Sequence, residues 1–254
     1  MAYEGARVKE AGEKSGFWEN VRTIVYAVLI ALFVRTFAYE PFNIPSGSML
    51  PTLLVGDYLF VSKFSYGYSR HSLPLSLPLI PGRVLFSEPE RGDVAVFKLP
   101  TDGKTDYIKR IIGLPGDEIQ MRGGRLYING TLVERTPIDP AQVDDGFGRM
   151  VRVPQYVETL PNGRQHLIFE SSGDDGQFDN TRVFKVPPRH YFAMGDNRDN
   201  SLDSRASVGF IPVENLIGRA EFLFFSVDGS SSIWQVWNWP WAIRWNRIFT
   251  GVGP

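Results

Sequence analysis

The hydrophobic pattern splits the chain into two unequal parts. Met1 to Phe17 is polar and carries Arg7, Lys9 and Lys14, and the run from Ile24 to Val34 then has no polar break. That run is shorter than the about 20 apolar residues a spanning helix needs. Its flanks make up the difference. Trp18 and Tyr39 suit the two membrane interfaces, and Arg22 and Arg35 can extend their charged heads into water. A helix from Phe17 to Phe37 would be about 30 Å long. Three readings compete: a cleaved signal peptide, a buried core helix and a membrane anchor. A signal peptide wants small residues after its apolar run, whereas Arg35, Phe37 and Tyr39 follow here. We therefore expect a transmembrane helix over 17–37. Four cations (Arg7, Lys9, Lys14, Arg22) lie on its N-terminal side against Arg35 alone on the other. This charge bias places residues 1–16 in the cytoplasm and 38–254 outside it.

Beyond Tyr39 the pattern becomes that of strands. Tyr58–Val61, Gly92–Lys98, Asp106–Gly113, Gln165–Glu170, Tyr191–Met194 and Gly218–Ser226 read as strands bounded by turn residues. Arg125–Ile128 and Thr131–Glu134 flank Asn129-Gly130, the strongest short hairpin signal. Thr136 to Asn180 is otherwise polar and glycine-rich, and His71 to Gly82 reads as a surface loop. No internal repeat and no further long helical period is visible, so the fold expected after the helix is mainly β. The C-terminal part, 233–249, holds Trp234, Trp237, Trp239, Trp241 and Trp245, five of the six tryptophans, interleaved with Arg244 and Arg247. It is either an aromatic core strip or a contact with lipid headgroups, where Trp and Arg are favoured.

Composition narrows the chemistry. With 254 residues and 43% hydrophobic positions the chain can bury one large core or two modest ones. A net charge of -1 gives no field that favours nucleic acid. There is no cysteine, which excludes disulfides and thiol catalysis. The three histidines, His71, His166 and His190, have no zinc-ligand spacing. No G-x-S-x-G elbow supports a Ser-His-Asp triad. We expect no cofactor and no metal.

The stretch Ile44-Pro45-Ser46-Gly47-Ser48-Met49-Leu50-Pro51-Thr52 follows the apolar segment closely. Each proline fixes its own φ and extends the residue before it, and Gly47 should permit a turn that a Cβ would resist. The bend should present the Ser48 hydroxyl. A nucleophilic serine needs a neutral proton acceptor, and a lysine serves when burial lowers its pKa. Lys109 is the candidate. On a strand, Tyr107, Lys109 and Ile111 share one face, and Ile108, Arg110 and Ile112 the other. Both faces are otherwise apolar, so one of the two cations should approach the core. A half-exposed edge strand with two solvated cations remains the alternative.

These residues resemble a family. The Ile44–Thr52 stretch, Arg91-Gly92-Asp93-Val94, Tyr107-Ile108-Lys109-Arg110-Ile111-Ile112-Gly113-Leu114-Pro115-Gly116-Asp117 and Gly195-Asp196-Asn197-Arg198-Asp199-Asn200-Ser201-Leu202-Asp203-Ser204-Arg205 are similar to the four ordered motif blocks of bacterial type I signal (leader) peptidases. The resemblance covers roughly Phe33 to Ser226 and is thinnest between Met121 and Val186. It implies a signal-peptidase-type β-fold with a variable β-ribbon insert over 118–187, in a single-pass protein of the bacterial inner membrane. It also implies a Ser-Lys dyad endopeptidase that cuts secretory preproteins after small residues. By match to the blocks, Ser48 is the nucleophile and Lys109 the general base. Ser46 with the Ser48 N–H forms the oxyanion hole, Ser201 orients the Lys109 amine, and Asp203 and Arg205 form a supporting ion pair. An extended substrate would pair with a strand edge, with Met49-Leu50 and Tyr58–Val61 as apolar walls. The alternatives are a self-cleaving regulator of the SOS-repressor type, a conjugation or pilin-maturation peptidase, and a membrane-tethered β-domain without catalysis.

Overall fold

The computed structural model describes residues 11–144, 149–230 and 235–253. The helix α1 (Ala11–Phe37) is unbroken and already helical six residues before the expected start. Ala11, Glu13 and Lys14 are good helix formers and explain the extension. Exposed apolar side chains occur at Ile24, Val25, Tyr26, Val28, Leu29, Ile30, Leu32 and Phe33. With about 3.6 residues per turn these cover every side of the helix. Gly16–Phe37 is long and apolar enough to cross a membrane, and its apolar window is not buried in the protein. The buried-core-helix reading is therefore removed, and the helix fits a transmembrane anchor. Met1 to Glu10, part of the expected cytoplasmic segment, lies outside the described residues.

The rest is mainly β. From α1 the chain enters β1 (Tyr39–Asn43), which pairs antiparallel with β2 (Asp57–Ser62) across the Ser48 loop. A small ribbon of β3 (Tyr68–Ser69) and β4 (Arg83–Val84) follows. Then come the paired strands β5 (Val94–Lys98) and β6 (Asp106–Gly113). The insert contributes β7 (Glu118–Arg122), β8 (Arg125–Ile128) and β9 (Thr131–Leu132). Next are β10 (Glu134–Asp144), β11 (Met150–Thr159), β12 (Gln165–Phe169) and β13 (Phe184–Lys185). The chain returns through β14 (His190–Met194) and β15 (Ile211–Pro212) to β16 (Leu216–Ser226). The main sheet has the order β1-β2-β16-β5-β6-β14-β15. The insert forms two further sheets, β10-β11-β12 and β13-β7-β8-β9.

β5 explains how the core is divided. Val94 and Val96 belong to one apolar cluster with Ile44, Met49 and Leu53, while Ala95 and Phe97 belong to a second with Ile111 and Tyr191. The strand is buried on both faces, which is why it reads as a continuous apolar run. β16 shifts register twice against β2 and once against β5. Such bulges bend a strand and raise its twist, and here they curl the sheet. The Asn129-Gly130 turn has φ of 53° and 77° at its two residues, as its hairpin sequence predicts.

The polar, glycine-rich segment carries the ribbon that the resemblance implies, β10 and β11, of 11 and 10 residues. Its residues do not read as strands by themselves, because Pro137, Pro140 and Pro154 argue against one, and the register slips between Ile138 and Ala141, around Pro140. The tryptophans do not form a core strip. Trp237, Trp241 and Trp245 are exposed, at 67%, 81% and 62%. Trp239 alone of the described four is half-buried, edge-on to Phe225 at 6.1 Å. Trp234 lies outside the described residues.

Candidate active site

The loop between β1 and β2 is fastened from below by Ile44, Met49 and Leu53, all buried in the core. Ser46 lies extended at φ -132°, ψ 154°, and Gly47–Met49 then close a single 3-10 turn. Gly47 is not in the left-handed region. Its missing Cβ spares a 3.0 Å approach to the Leu50 side chain. The turn lifts the Ser48 hydroxyl away from the core, and Lys109 reaches it from β6.

Lys109 Nζ donates to Ser48 Oγ at 2.6 Å and to the Ile108 carbonyl at 2.8 Å. The lysine is only 3% exposed. No carboxylate forms an ion pair with it among the described residues. Burial lowers its pKa to about 8, against a smaller upward pull from Asp203 and Asp196. Ser46 Oγ lies 3.5 Å from Ser48 Oγ on the exposed side of the loop. The edge-strand alternative with two solvated cations fails, and both cations of the pair, not just one, are buried. Arg110, on the other face of β6, is 1% exposed.

The loop after β14 closes the site from behind. Asn197 N donates to the Ser48 carbonyl at 3.2 Å, and Asn197 Nδ2 to the Gly47 carbonyl at 3.0 Å. A Cβ on Gly195 would fall 2.2 Å from Ser201 Oγ and 2.5 Å from the Ser48 carbonyl oxygen, so only glycine fits there. Arg205 grips Asp203 with two bonds, Nε to Oδ1 at 3.0 Å and Nη2 to Oδ2 at 2.9 Å. Asp203 Oδ2 also accepts from Gly195 N at 3.0 Å. Burial pushes the Asp203 carboxyl up, but Arg205 more than offsets it and holds the group below the usual carboxylate range. Ser201 departs from its expected contact. Its hydroxyl is buried without a hydrogen-bond partner and does not bond to Lys109.

The family model described as "Signal peptidase, peptidase S26" matches residues 17–225. The chain belongs to the signal peptidase family S26. Signal peptidase I of Rickettsia typhi is 42% identical over 250 residues, covering 92% of this chain and 93% of its own. The enzyme of Rickettsia akari is 42% identical over 244 residues, covering 89% and 90%. A solved signal peptidase I from Enterococcus faecalis is 25% identical, covers 52% of this chain and 97% of its own, and has a TM-score of 0.31. The family assignment rests on the sequence matches.

Two further features surround the Ser48–Lys109 pair of this signal peptidase family member; sequence reasoning gave the first no role and misplaced the walls of the second. Arg110 Nε and Nη2 donate to the two oxygens of Asp196 at 2.8 and 2.7 Å, and Nη1 to the Gly92 carbonyl at 2.7 Å. Thr52 Oγ1 completes the knot on Asp196 Oδ2 at 2.5 Å. This buried pair joins β6, the serine loop and the loop after β14. The signal lay in the quoted motif blocks, where a charged residue stands in an apolar strand. The second feature is a cavity of about 400 Å³ that opens on Ser48 and Lys109. Its apolar walls are Phe42, Ile44, Pro45, Val96, Ile108 and Leu202. The walls expected at Met49-Leu50 and Tyr58–Val61 are not among them. Met49 points into the core, and β2 lies behind the loop.

Proposed function

We propose that the chain is a membrane-anchored endopeptidase that removes signal peptides from secretory preproteins after small residues, with Ser48 as nucleophile and Lys109 as general base. The observation that carries this is the 2.6 Å contact between Ser48 Oγ and a buried Lys109 that has no ion-pair partner among the described residues. Burial disfavours the ammonium, and a neutral amine can accept the hydroxyl proton. Ser48 Oγ would attack the scissile carbonyl while Lys109 Nζ takes the proton, then passes it to the leaving amine. Water, deprotonated by the same amine, would release the acyl group from Ser48. The oxyanion would meet the Ser48 N–H and the Ser46 hydroxyl, a donor whose loss should cost about 2.7–4 kcal/mol of transition-state stabilisation. Asp203 and Arg205 would hold the loop that bears on the serine. Ser201 fills the space beside Gly195, and a role in orienting Lys109 would need a rotation of its hydroxyl.

The pairing of β6 supports a peptide-binding edge. Its second edge is paired with β14 only from Arg110 to Gly113, which among the described residues leaves Asp106–Lys109 unpaired on that side, beside the cavity. An extended substrate can add there as a strand, with its side chains directed alternately into the apolar cavity. The anchor would hold this edge at the outer face of the inner membrane, with the N-terminus inside, and the 233–249 segment would contact lipid. No cofactor, metal or nucleic acid enters this reading.

The test is cleavage of a purified preprotein in detergent by the wild type and Ser48→Ala, with the product's N-terminus sequenced. We expect cleavage after a small residue by the wild type and a loss on the order of 10³-fold or more in the variant. Near-normal turnover by Ser48→Ala would refute the assignment.

A further inference from the structure

Glu170 directly follows β12, Asp179 lies in the loop beyond it, and Asp199 sits in the turn after β14. One carboxylate oxygen from each lies within 4.8 Å of the others. Glu170 and Asp179 are both 0% exposed. Each keeps one oxygen without a hydrogen-bond partner, Glu170 Oε2 and Asp179 Oδ1. Their other oxygens are engaged. Glu170 Oε1 accepts from Arg135 Nη1 at 3.2 Å, and Asp179 Oδ2 from Gly176 N at 2.6 Å. Asp199 Oδ2 accepts from Ser172 N at 2.7 Å. Among the described residues Arg135 is the one cation in an ion pair with any of the three carboxylates, through Glu170, and it is shared with Asp174. Buried charges in folded proteins are paired or coordinate metals, and here two buried carboxylates, each with one oxygen that no hydrogen bond takes up, converge with a third.

We propose that Glu170, Asp179 and Asp199 form a binding site for a hard divalent cation of the size of Ca²⁺. The donors are all oxygen, which selects Ca²⁺ or Mg²⁺ over softer metals. Mg²⁺ is held by one or two carboxylates and keeps several waters, whereas three carboxylates from separate segments suit the larger and more flexible Ca²⁺ shell. Asp199 is half-buried, so water can complete the shell from its side. The loop backbone is pressed onto the ligands: a Cβ on Gly176 would lie 2.3 Å from Asp199 Oδ1. The expectation of no metal rested on histidine and cysteine content, which does not test an oxygen-only site assembled from three separate segments. This site is independent of the Ser48–Lys109 reading, but it touches the same loop. Asp199 is two residues from Asn197, which holds the Gly47 and Ser48 carbonyls. A bound cation would tie the insert to the loop that braces the serine.

The rival is a proton. Burial raises the Glu170 carboxyl to about 8 and also raises Asp179, so the cluster could be neutralised by protonation instead. Calorimetric titration of the full chain in detergent, stripped with EGTA, separates the two, using CaCl₂ and MgCl₂ as probes. We expect saturable Ca²⁺ binding, Mg²⁺ binding at least 10-fold weaker, and a Tm rise of about 5–10 °C at 100-fold over Kd. Glu170→Gln and Asp179→Asn should weaken Ca²⁺ binding at least 10-fold. Asp199→Asn, at the half-exposed rim, should do the same without disturbing the core. An absence of heat and of any Tm shift in the wild type would overturn the proposal and leave a protonated cluster. Unchanged Ca²⁺ affinity in Asp199→Asn would overturn it too, by placing the ion elsewhere.

Discussion

On the proposed mechanism Lys109 decides what the serine can do, and its protonation gives the sharpest expectation at the scale of single residues. Burial brings its pKa to about 8. In the proposed mechanism the competent form is the neutral amine, whose fraction grows as pH rises through that value. The kcat/KM should therefore climb from about pH 7 and level off above about pH 9, well below the free-lysine value of about 10.4. A profile still rising at pH 10, or flat from acid upwards, would contradict the base assignment. Lys109→Arg should be as inactive as Lys109→Ala, because a guanidinium stays protonated and cannot accept the Ser48 proton. Turnover above the Ala level in a cleavage assay would leave Lys109 an electrostatic role only. The sequence shows that 109 and 110 face opposite ways, because strand side chains alternate. It cannot show that both faces are buried, which depends on how β5, β14 and the serine loop close around β6. For that reason Lys109 was legible and the role of Arg110 was not. Ser201 illustrates the opposite limit. Motif matching names it, but only the structure shows that its hydroxyl faces Gly195 and bonds to nothing.

At the scale of elements, the site is a junction of three segments that are far apart in sequence. The serine loop, the start of β6 and the loop after β14 meet through Arg110, Asp196, Thr52 and Asn197. The Arg110–Asp196 pair lies at 1% exposure on both sides. Removing one partner from such a pair leaves a buried charge uncompensated. Asp196→Asn should destabilise the protein by about 3–5 kcal/mol. It should also lower turnover, because Asn197 next to it holds the serine loop. Denaturant unfolding of the two proteins in the same detergent checks this, and a difference below about 1 kcal/mol would show that the pair does not hold the junction. Strand identity was legible wherever apolar residues alternated or ran together, as in β5, β6 and β14. It was lost in β10 and β11, whose prolines and polar side chains suit a mostly solvated ribbon. β1 was masked differently, since Tyr39-Glu40-Pro41-Phe42-Asn43 follows the anchor with no turn between them. The cavity walls were misplaced for a related reason. They come from the end of β1, the serine loop, Val96 of β5, Ile108 of β6 and Leu202 of the loop after β14, segments far apart in the sequence.

For the whole molecule, the exposed aromatic surface must be explained. On the outer face of β2 and β16, Phe60 packs against Phe222 at 5.5 Å and Phe224 at 4.4 Å, and Tyr58 against Phe225 at 5.8 Å. These rings are half-buried, and Trp237, Trp241, Trp245 and Phe249 stand exposed in the C-terminal segment. An apolar surface beyond a few hundred Å² marks an interaction site in a soluble protein. Trp suits the headgroup region, with an apolar ring body and an N–H that remains hydrated. A domain lacking residues 1–38 should therefore still cleave peptides yet cling to lipid. α1 contributes little to the core, so its removal should leave the sheet intact. Flotation with phospholipid vesicles should carry the truncated domain upward, with a blue shift in Trp emission. Burying each aromatic ring contributes about 1.5–3 kcal/mol, so replacing Trp237, Trp241 and Trp245 together by Ala should weaken vesicle binding on the order of 10²-fold or more. Peptide cleavage in detergent should survive the triple replacement, because these rings line neither the cavity nor the Ser48–Lys109 contact. A truncated domain that stays in the aqueous fraction with unshifted emission would sink the lipid-contact reading and leave α1 as the sole membrane attachment.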